Sequence, residues 1–184
     1  KISLSSGVEA WTATFDDFAG SNGAWEMISL ASDGVLLAGL RNLASRDEMD
    51  FKSYGNVVGG LALLMKMPLS AMTGSSPPSA SSASWSQTFS SYFSCKAART
   101  FSNGNIVCLL YAEAATKHAS LVMVSSSGST VWGPHDYASD HGEGTDVQVA
   151  SDGTSVLISG HGGASGTYYA RLTKVGAADG TRLW

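Results

Sequence analysis

The chain has 184 residues and a formal net charge of −4, with 11 Lys plus Arg scattered along it. That length suits one ordinary domain or part of a larger one. The scattered cations exclude a dedicated nucleic-acid surface and a polybasic membrane anchor, which both need clustered positive charge.

Residues 1–11 open the chain on a short hairpin unit in which Gly7 precedes Trp11 by four positions. The same spacing returns at Gly128 and Trp132, and again at Gly180 and Trp184. After Trp11 comes Thr-Ala-Thr-Phe15-Asp-Asp-Phe18, and after Trp85 comes Ser-Gln-Thr-Phe89-Ser-Ser-Tyr92, so one phrase recurs at identical offsets. Asp33-Gly34, Asn103-Gly104 and Asp152-Gly153 carry the chemistry of tight hairpin turns. Each leads into an apolar run, 35–40, 106–111 and 156–158, of the kind that forms a strand covered on both faces. The intervals from Trp85 to Trp132 and from Trp132 to Trp184 are close to the length of a propeller blade, about 40 to 50 residues.

These signals predict an all-β chain: a β-propeller segment of about three four-stranded antiparallel blades over 12–85, 86–132 and 133–184, preceded by an orphan hairpin strand over 1–11. In the third unit the strands are expected near 146–151, 154–160, 167–175 and 181–184. Two insertions interrupt the first unit. Residues 42–56, with Arg46, Asp47, Glu48, Asp50 and Lys52, read as a solvated charged excursion. Residues 73–84, rich in Ser and containing Pro77 and Pro78, read as a flexible surface loop, with O-glycosylation of a stalk-like segment as the other reading. Three blades do not close a ring, since propellers use about four to eight. The expectation is therefore a fragment of a longer array or a ring completed with other chains.

The recurring turn resembles the tryptophan-docking hairpin of the quinoprotein-dehydrogenase-like (PQQ-like) β-propellers, a family signature of the form Ala-x-Asp-x-x-Thr-Gly-x-x-x-Trp. Gly7 and Trp11, Gly128 and Trp132, and Gly180 and Trp184 stand at its glycine and tryptophan positions; other positions depart from it, with Ser3, Val124 or Gly176 where the signature has Asp. The resemblance implies that Trp11, Trp85, Trp132 and Trp184 dock between neighbouring blades, while Gly7, Gly128 and Gly180 turn the outer hairpins. Quinoprotein enzymes of that design carry adjacent cysteines and a calcium-binding acid beside their cofactor. Cys95 and Cys108 are not adjacent, so an oxidoreductase reading requires an active site outside this segment.

The densest polar cluster is His135, Asp136, Asp140, His141, Glu143 and Asp146, in the connection between the second and third units. It reads first as a solvated acidic loop. The alternative is a calcium or glycan site using Asp136, Asp140, Glu143 and Asp146, because calcium takes oxygen-rich ligand sets. The echo Asp17-Phe18-Ala19 and Asp136-Tyr137-Ala138 reads as structural, with the carboxylate capping backbone N–H groups and the ring covering a blade edge. His118 and His161 are expected in turns, without an evident partner. Cys95 lies farther from the Asn103-Gly104 turn than Cys108 does, so two buried thiols are expected, a disulfide requiring a shifted register or a bulge.

Charged residues make up 14% of the chain, against about 25% in typical globular proteins. With abundant Ser and Gly, that composition points to an extracellular or cell-surface setting. The apolar run 57–65 is far shorter than the roughly 18 residues of a membrane span, so no span is expected. The start at Lys1 suggests a processed or truncated N-terminus. The reading that unites these expectations is a non-catalytic structural or interaction module of a larger secreted or cell-surface protein. Its partners would be other propeller blades of the same or neighbouring chains, with glycans as a further class, and no cofactor is required apart from the calcium alternative.

Overall fold

The computed structural model describes residues 22–31, 33–43, 61–73, 75–76, 78–112, 118–137, 143–162 and 169–184. Its elements are β1 Asn22–Ala31, β2 Gly34–Leu43, β3 Leu61–Pro68, the short helix α1 Leu69–Thr73, a 3-10 turn Ala80–Ser82, and β4 Trp85–Phe89. Then follow β5 Ser94–Thr100, β6 Ile106–Ala112, β7 His118–Val124, β8 Thr130–Asp136, β9 Glu143–Val149, β10 Ser155–Gly162 and β11 Tyr169–Gly176. They form three antiparallel sheets, β1-β2-β3-β4, β5-β6-β7-β8 and β9-β10-β11, each a simple meander in chain order. We call them sheets one, two and three.

Sheet three has three strands; in place of the expected fourth, residues 181–184 make only a short pairing with β11. Gly176 N donates to Thr181 O (2.7 Å), Leu183 N to Lys174 O (2.8 Å) and Lys174 N to Trp184 O (3.0 Å), around a bridge between Val175 and Arg182. In sheets one and two the last strand runs on past its tryptophan. Trp85 opens β4, and Trp132 is followed by four more residues of β8.

Apolar alternation stacks the sheets. Leu36, Ala38, Ala62 and Leu64 of sheet one meet Cys95, Ile106, Cys108, Leu110, Val122 and Val124 of sheet two in one core. Val107, Leu109, Leu121 and Met123, on the opposite face of sheet two, meet Val147, Val156, Ile158 and Val175 of sheet three in another. Every residue of β6 and of β7 is buried, as a strand covered on both faces requires. The run at 156–158 is different: Val156 and Ile158 are buried and Leu157 only partly so, because no described sheet lies beyond sheet three.

The segment 73–84 is not simply a solvated loop. With α1 it lies over the outer face of sheet one, where Ala71, Met72 and Ala83 pack on Val35, Leu37, Met65 and Met67. Pro78 is buried, whereas Ser75, Ser76, Ser81, Ser82 and Ser84 face solvent. Of the described residues in 73–84 only Ala83 joins that packing, and the serines give the segment its loop-like composition. Ser84 N anchors its end to Lys66 O at 2.8 Å. Lys66, itself buried, reaches Asp33 in the β1–β2 turn at 2.7 Å. The charged excursion expected at 42–56 lies outside the described residues apart from the end of β2 at Leu43.

The cysteines also depart from expectation. A bulge at Lys96 shifts the register, so that Cys95 pairs with Leu110 while Ala98 pairs with Cys108. This returns Cys95 to the same face as Cys108, and the two sulfurs are bonded, with the Cα atoms 6.3 Å apart. The shift that a disulfide needed is present, so the expected pair of free thiols is replaced by a buried cross-link between β5 and β6.

Candidate functional site

The chain's most organised chemistry lies along the two seams between sheets. At the first seam, Trp85 stands at the start of β4 and its indole Nε1 donates to Ser126 O of the β7–β8 turn at 2.9 Å. The side chain abuts Gly128, where a Cβ would come within 2.7 Å of it, and Gly128 has a φ of +91°. Only glycine satisfies both demands at low cost. Gln87 Nε2, two residues along β4, donates to Gly128 O. A tight turn holds this receiving site: Gly128 N donates to Ser125 O (3.0 Å) and Ser125 N to Ser129 O (2.7 Å).

The second seam repeats the device one sheet on. Trp132 Nε1 donates to Ala177 O at 2.9 Å, and the ring faces Gly180, whose φ is +73° and whose Cβ would meet it at 2.9 Å. His135 stacks on the indole, with centroids 5.7 Å apart and an interplanar angle of 19°. Asp179 shapes the receiving turn by accepting from Thr181 N (3.0 Å) and Thr181 Oγ1 (2.8 Å). The backbone bond from Thr181 and that hydroxyl hold its carboxyl below the usual value. Trp85 and Trp132 thus each bond a carbonyl of the following sheet, whereas Trp184 is 55% exposed. Trp11 and Gly7 lie outside the described residues.

Aromatic residues in the sheet-to-sheet connections reinforce each seam. Tyr92, just after β4, donates its hydroxyl to Asp136 Oδ1 in β8 at 3.0 Å. Tyr137, just after β8, is buried and donates to Gly180 O at 2.6 Å. Burial and the nearby charge of Asp179 both push the Tyr137 hydroxyl well above its ordinary range, so it acts as a fixed donor. The Asp-aromatic pair at 136–137 is therefore structural, though not in the expected way: Asp136 serves side chains rather than backbone amides, and the ring lies between sheets. Asp17 and Phe18 lie outside the described residues.

Asp136 is a hub. It accepts from Ser120 Oγ and Tyr92 OH, and His118 Nε2 lies 3.3 Å away. His118 accordingly sits in β7 rather than in a turn, and His161 lies in β10. Burial opposes ionisation of Asp136, but the bonds from Ser120 and Tyr92 and the neighbouring His118 outweigh it, leaving the carboxyl below its ordinary 3.8. A carboxyl lowered on folding adds stability above its unfolded pKa, and that stability is lost as pH falls through the folded value. Urea midpoints measured across pH should therefore drop below about pH 4, and the drop should be shallower in Asp136→Asn, which at pH 7 costs about 1 kcal/mol for this half-exposed network. Equal acid limbs in the two proteins would show that Asp136 carries no such coupling.

Asp146 belongs to a different set of contacts. Its Oδ1 accepts from Arg99 at 2.8 Å and from Val147 N at 2.8 Å, and Gln148 Nε2 reaches its Oδ2 at 3.2 Å. Arg99 also donates to Met27 Sδ at 3.1 Å, joining the first strands of all three sheets. Of the four residues expected at a calcium or glycan site, Asp136 and Asp146 thus serve separate partners. Asp140 and the Glu143 side chain lie outside the described residues. No group of three or more His, Cys, Asp or Glu side chains gathers as an ion site among the described residues. An open cleft of about 330 Å³ does lie at the second seam, between His135 and Asp136 on one side and Asp179, Thr181 and Arg182 on the other.

No family model, curated protein or solved structure matches the chain. Tyr92 was foreshadowed by the recurring aromatic of its phrase. The roles of Gln87, Arg99 and Met27 carry no local signal, because each depends on a partner 41 or more residues away.

Proposed function

We propose that the chain is a non-catalytic structural and interaction module, a PQQ-like β-propeller segment of a larger secreted or cell-surface assembly. The observation that carries this reading is the repeated seam: Trp85 on Gly128 and Trp132 on Gly180, each with its indole N–H on a carbonyl of the next sheet. The polar side chains best placed for chemistry add support, since Asp136, Asp146, Tyr92, Tyr137 and Arg99 are engaged in holding sheets together. The buried Cys95–Cys108 bond suits an oxidising compartment, in keeping with an extracellular location. Its partners on this reading are further sheets of the same design.

The test is a set of melting curves of the purified protein with calcium, with EDTA and with a panel of oligosaccharides, together with an absorption spectrum of the native material. Unmoved melting temperatures and no quinone band are expected. A calcium- or glycan-dependent rise would replace this reading with ligand binding at 135–146, and a quinone band would make the protein an oxidoreductase.

A further inference from the structure

The two seams share one receiving part, the turn that follows the third strand of the sheet that is docked upon. In sheet two it is the turn 125–129 between β7 and β8, whose Gly128 takes Trp85. In sheet three it is the turn 177–180 after β11, whose Gly180 takes Trp132. The corresponding connection in sheet one runs from β3 to β4, and it is not a tight turn. It holds α1 and the 3-10 turn Ala80–Ser82, and Ser81 stands four positions before Trp85, where the other two turns have glycine.

The outer face of sheet one is nevertheless as apolar as a face that carries a neighbour. Strand pairing puts Ile28, Leu37 and Met65 in one row and Leu30, Val35 and Met67 in the next, so the face crosses β1, β2 and β3 without a polar break. The inner face of sheet one, both faces of sheet two and the inner face of sheet three each meet another sheet. This face meets Ala71, Met72 and Ala83 of its own β3–β4 connection instead. Val35, Leu37, Met65 and Met67 are at most 5% exposed beneath them, whereas Ile28 and Leu30, beyond the cover, are 68% and 78% exposed. A helix is about 10 Å across, the same as the spacing of two stacked sheets, about 10 Å. The cover and a further sheet cannot share the face.

The cover is also fastened at both ends, to two residues that hold each other. Leu69 N donates to Asp33 O at 3.3 Å and Ser84 N donates to Lys66 O at 2.8 Å. The Lys66 ammonium lies 2.7 Å from the Asp33 carboxylate. That ion pair closes the base of the connection where it leaves β3 and returns to β4.

Resting on the reading of the seams as docking between sheets, we propose that residues 69–84 are an intrinsic cap: they fill the seat of a further sheet on sheet one and replace the turn that would receive its tryptophan. Stacked arrays need a cover of this kind on a terminal unit to stay soluble. A further sheet of the same design can dock on this face only by displacing the cap. The occupant of the face is the chain's own connection, and removing it opens an apolar surface that a second cap-free copy would cover.

The experiment is sedimentation equilibrium of the unaltered chain, of a variant with residues 69–84 replaced by the sheet-two turn Ser-Ser-Ser-Gly-Ser, and of that variant carrying Leu37→Lys. Cooperative urea unfolding checks that each is folded. At equal concentration the cap-replaced chain is expected at twice the weight-average mass of the unaltered chain or more, and Leu37→Lys should return it to the unaltered value. A folded cap-replaced chain at the unaltered mass overturns the proposal, and so does association that survives Leu37→Lys. If the replacement prevents folding, Met72→Asp with Ala83→Asp, which keeps the chain length and lifts the cap, decides on the same two outcomes. None of these results touches the calcium, glycan and absorbance tests of the structural reading, so the two can fail separately.

Discussion

Replacing Trp132 by alanine should cost the folded chain about 4 kcal/mol. The indole is 9% exposed, packs in the core between sheets two and three, and bonds Ala177 O at 2.9 Å. Its loss removes that packing, leaves a cavity against Gly180, and strips His135 of its stacking partner. Urea unfolding followed by circular dichroism would measure the change. The informative control is Trp184→Ala, which in dilute, monomeric protein should stay within about 0.5 kcal/mol of the original because an exposed side chain is removed. Equal effects at the two positions would mean that the seam at Trp132 is not a stabilising contact.

Removing the cross-link is the next largest change expected. The Cys95–Cys108 bond spans 13 residues, and closing a loop of that size restricts the unfolded chain by about 3 kcal/mol. Cys95→Ala with Cys108→Ala should lose about that amount, seen as a lower urea midpoint with little change in far-ultraviolet signal. The unaltered protein, denatured without reductant, should take up no iodoacetamide, and two equivalents after reduction. Uptake of two equivalents before reduction would put the sulfurs back as free thiols.

Much of the sheet architecture is legible in the residues. The runs 35–40 and 106–111 contain no polar alternation, so they announce strands with neighbours on both sides, and β2 and β6 lie where they point. Gly104 and Gly153 adopt the positive φ, +84° and +67°, that their Asn-Gly and Asp-Gly turns suggest. Gly34 serves differently, sitting inside β2 where a Cβ would strike the carbonyl of Met67. The glycine–tryptophan spacing marks both described seams.

Other features escape for identifiable reasons. One extra residue at Lys96 decides whether the cysteines share a face, and a bulge leaves no trace in composition or periodicity. The cover over sheet one is carried by Ala71, Met72 and Ala83, small or flexible residues diluted among serines. At the polar site, the acids from 135 to 146 read first as a solvated loop, with convergence on an ion as the alternative. Asp136 instead turns to Tyr92 and Ser120, and Asp146 to Arg99, partners that sequence proximity does not mark.

The middle sheet has a thermodynamic role that its neighbours lack. Ile106, Cys108 and Leu110 point into one core, Val107 and Leu109 into the other, so β6 belongs equally to both. In a one-dimensional stack, stability is a sum of individual units and nearest-neighbour interfaces. Among the described sheets, sheet one and sheet three each share one interface, whereas sheet two can open only by giving up both. Loss of β6 and β7 therefore dismantles both cores at once, and the described stack unfolds with its middle sheet.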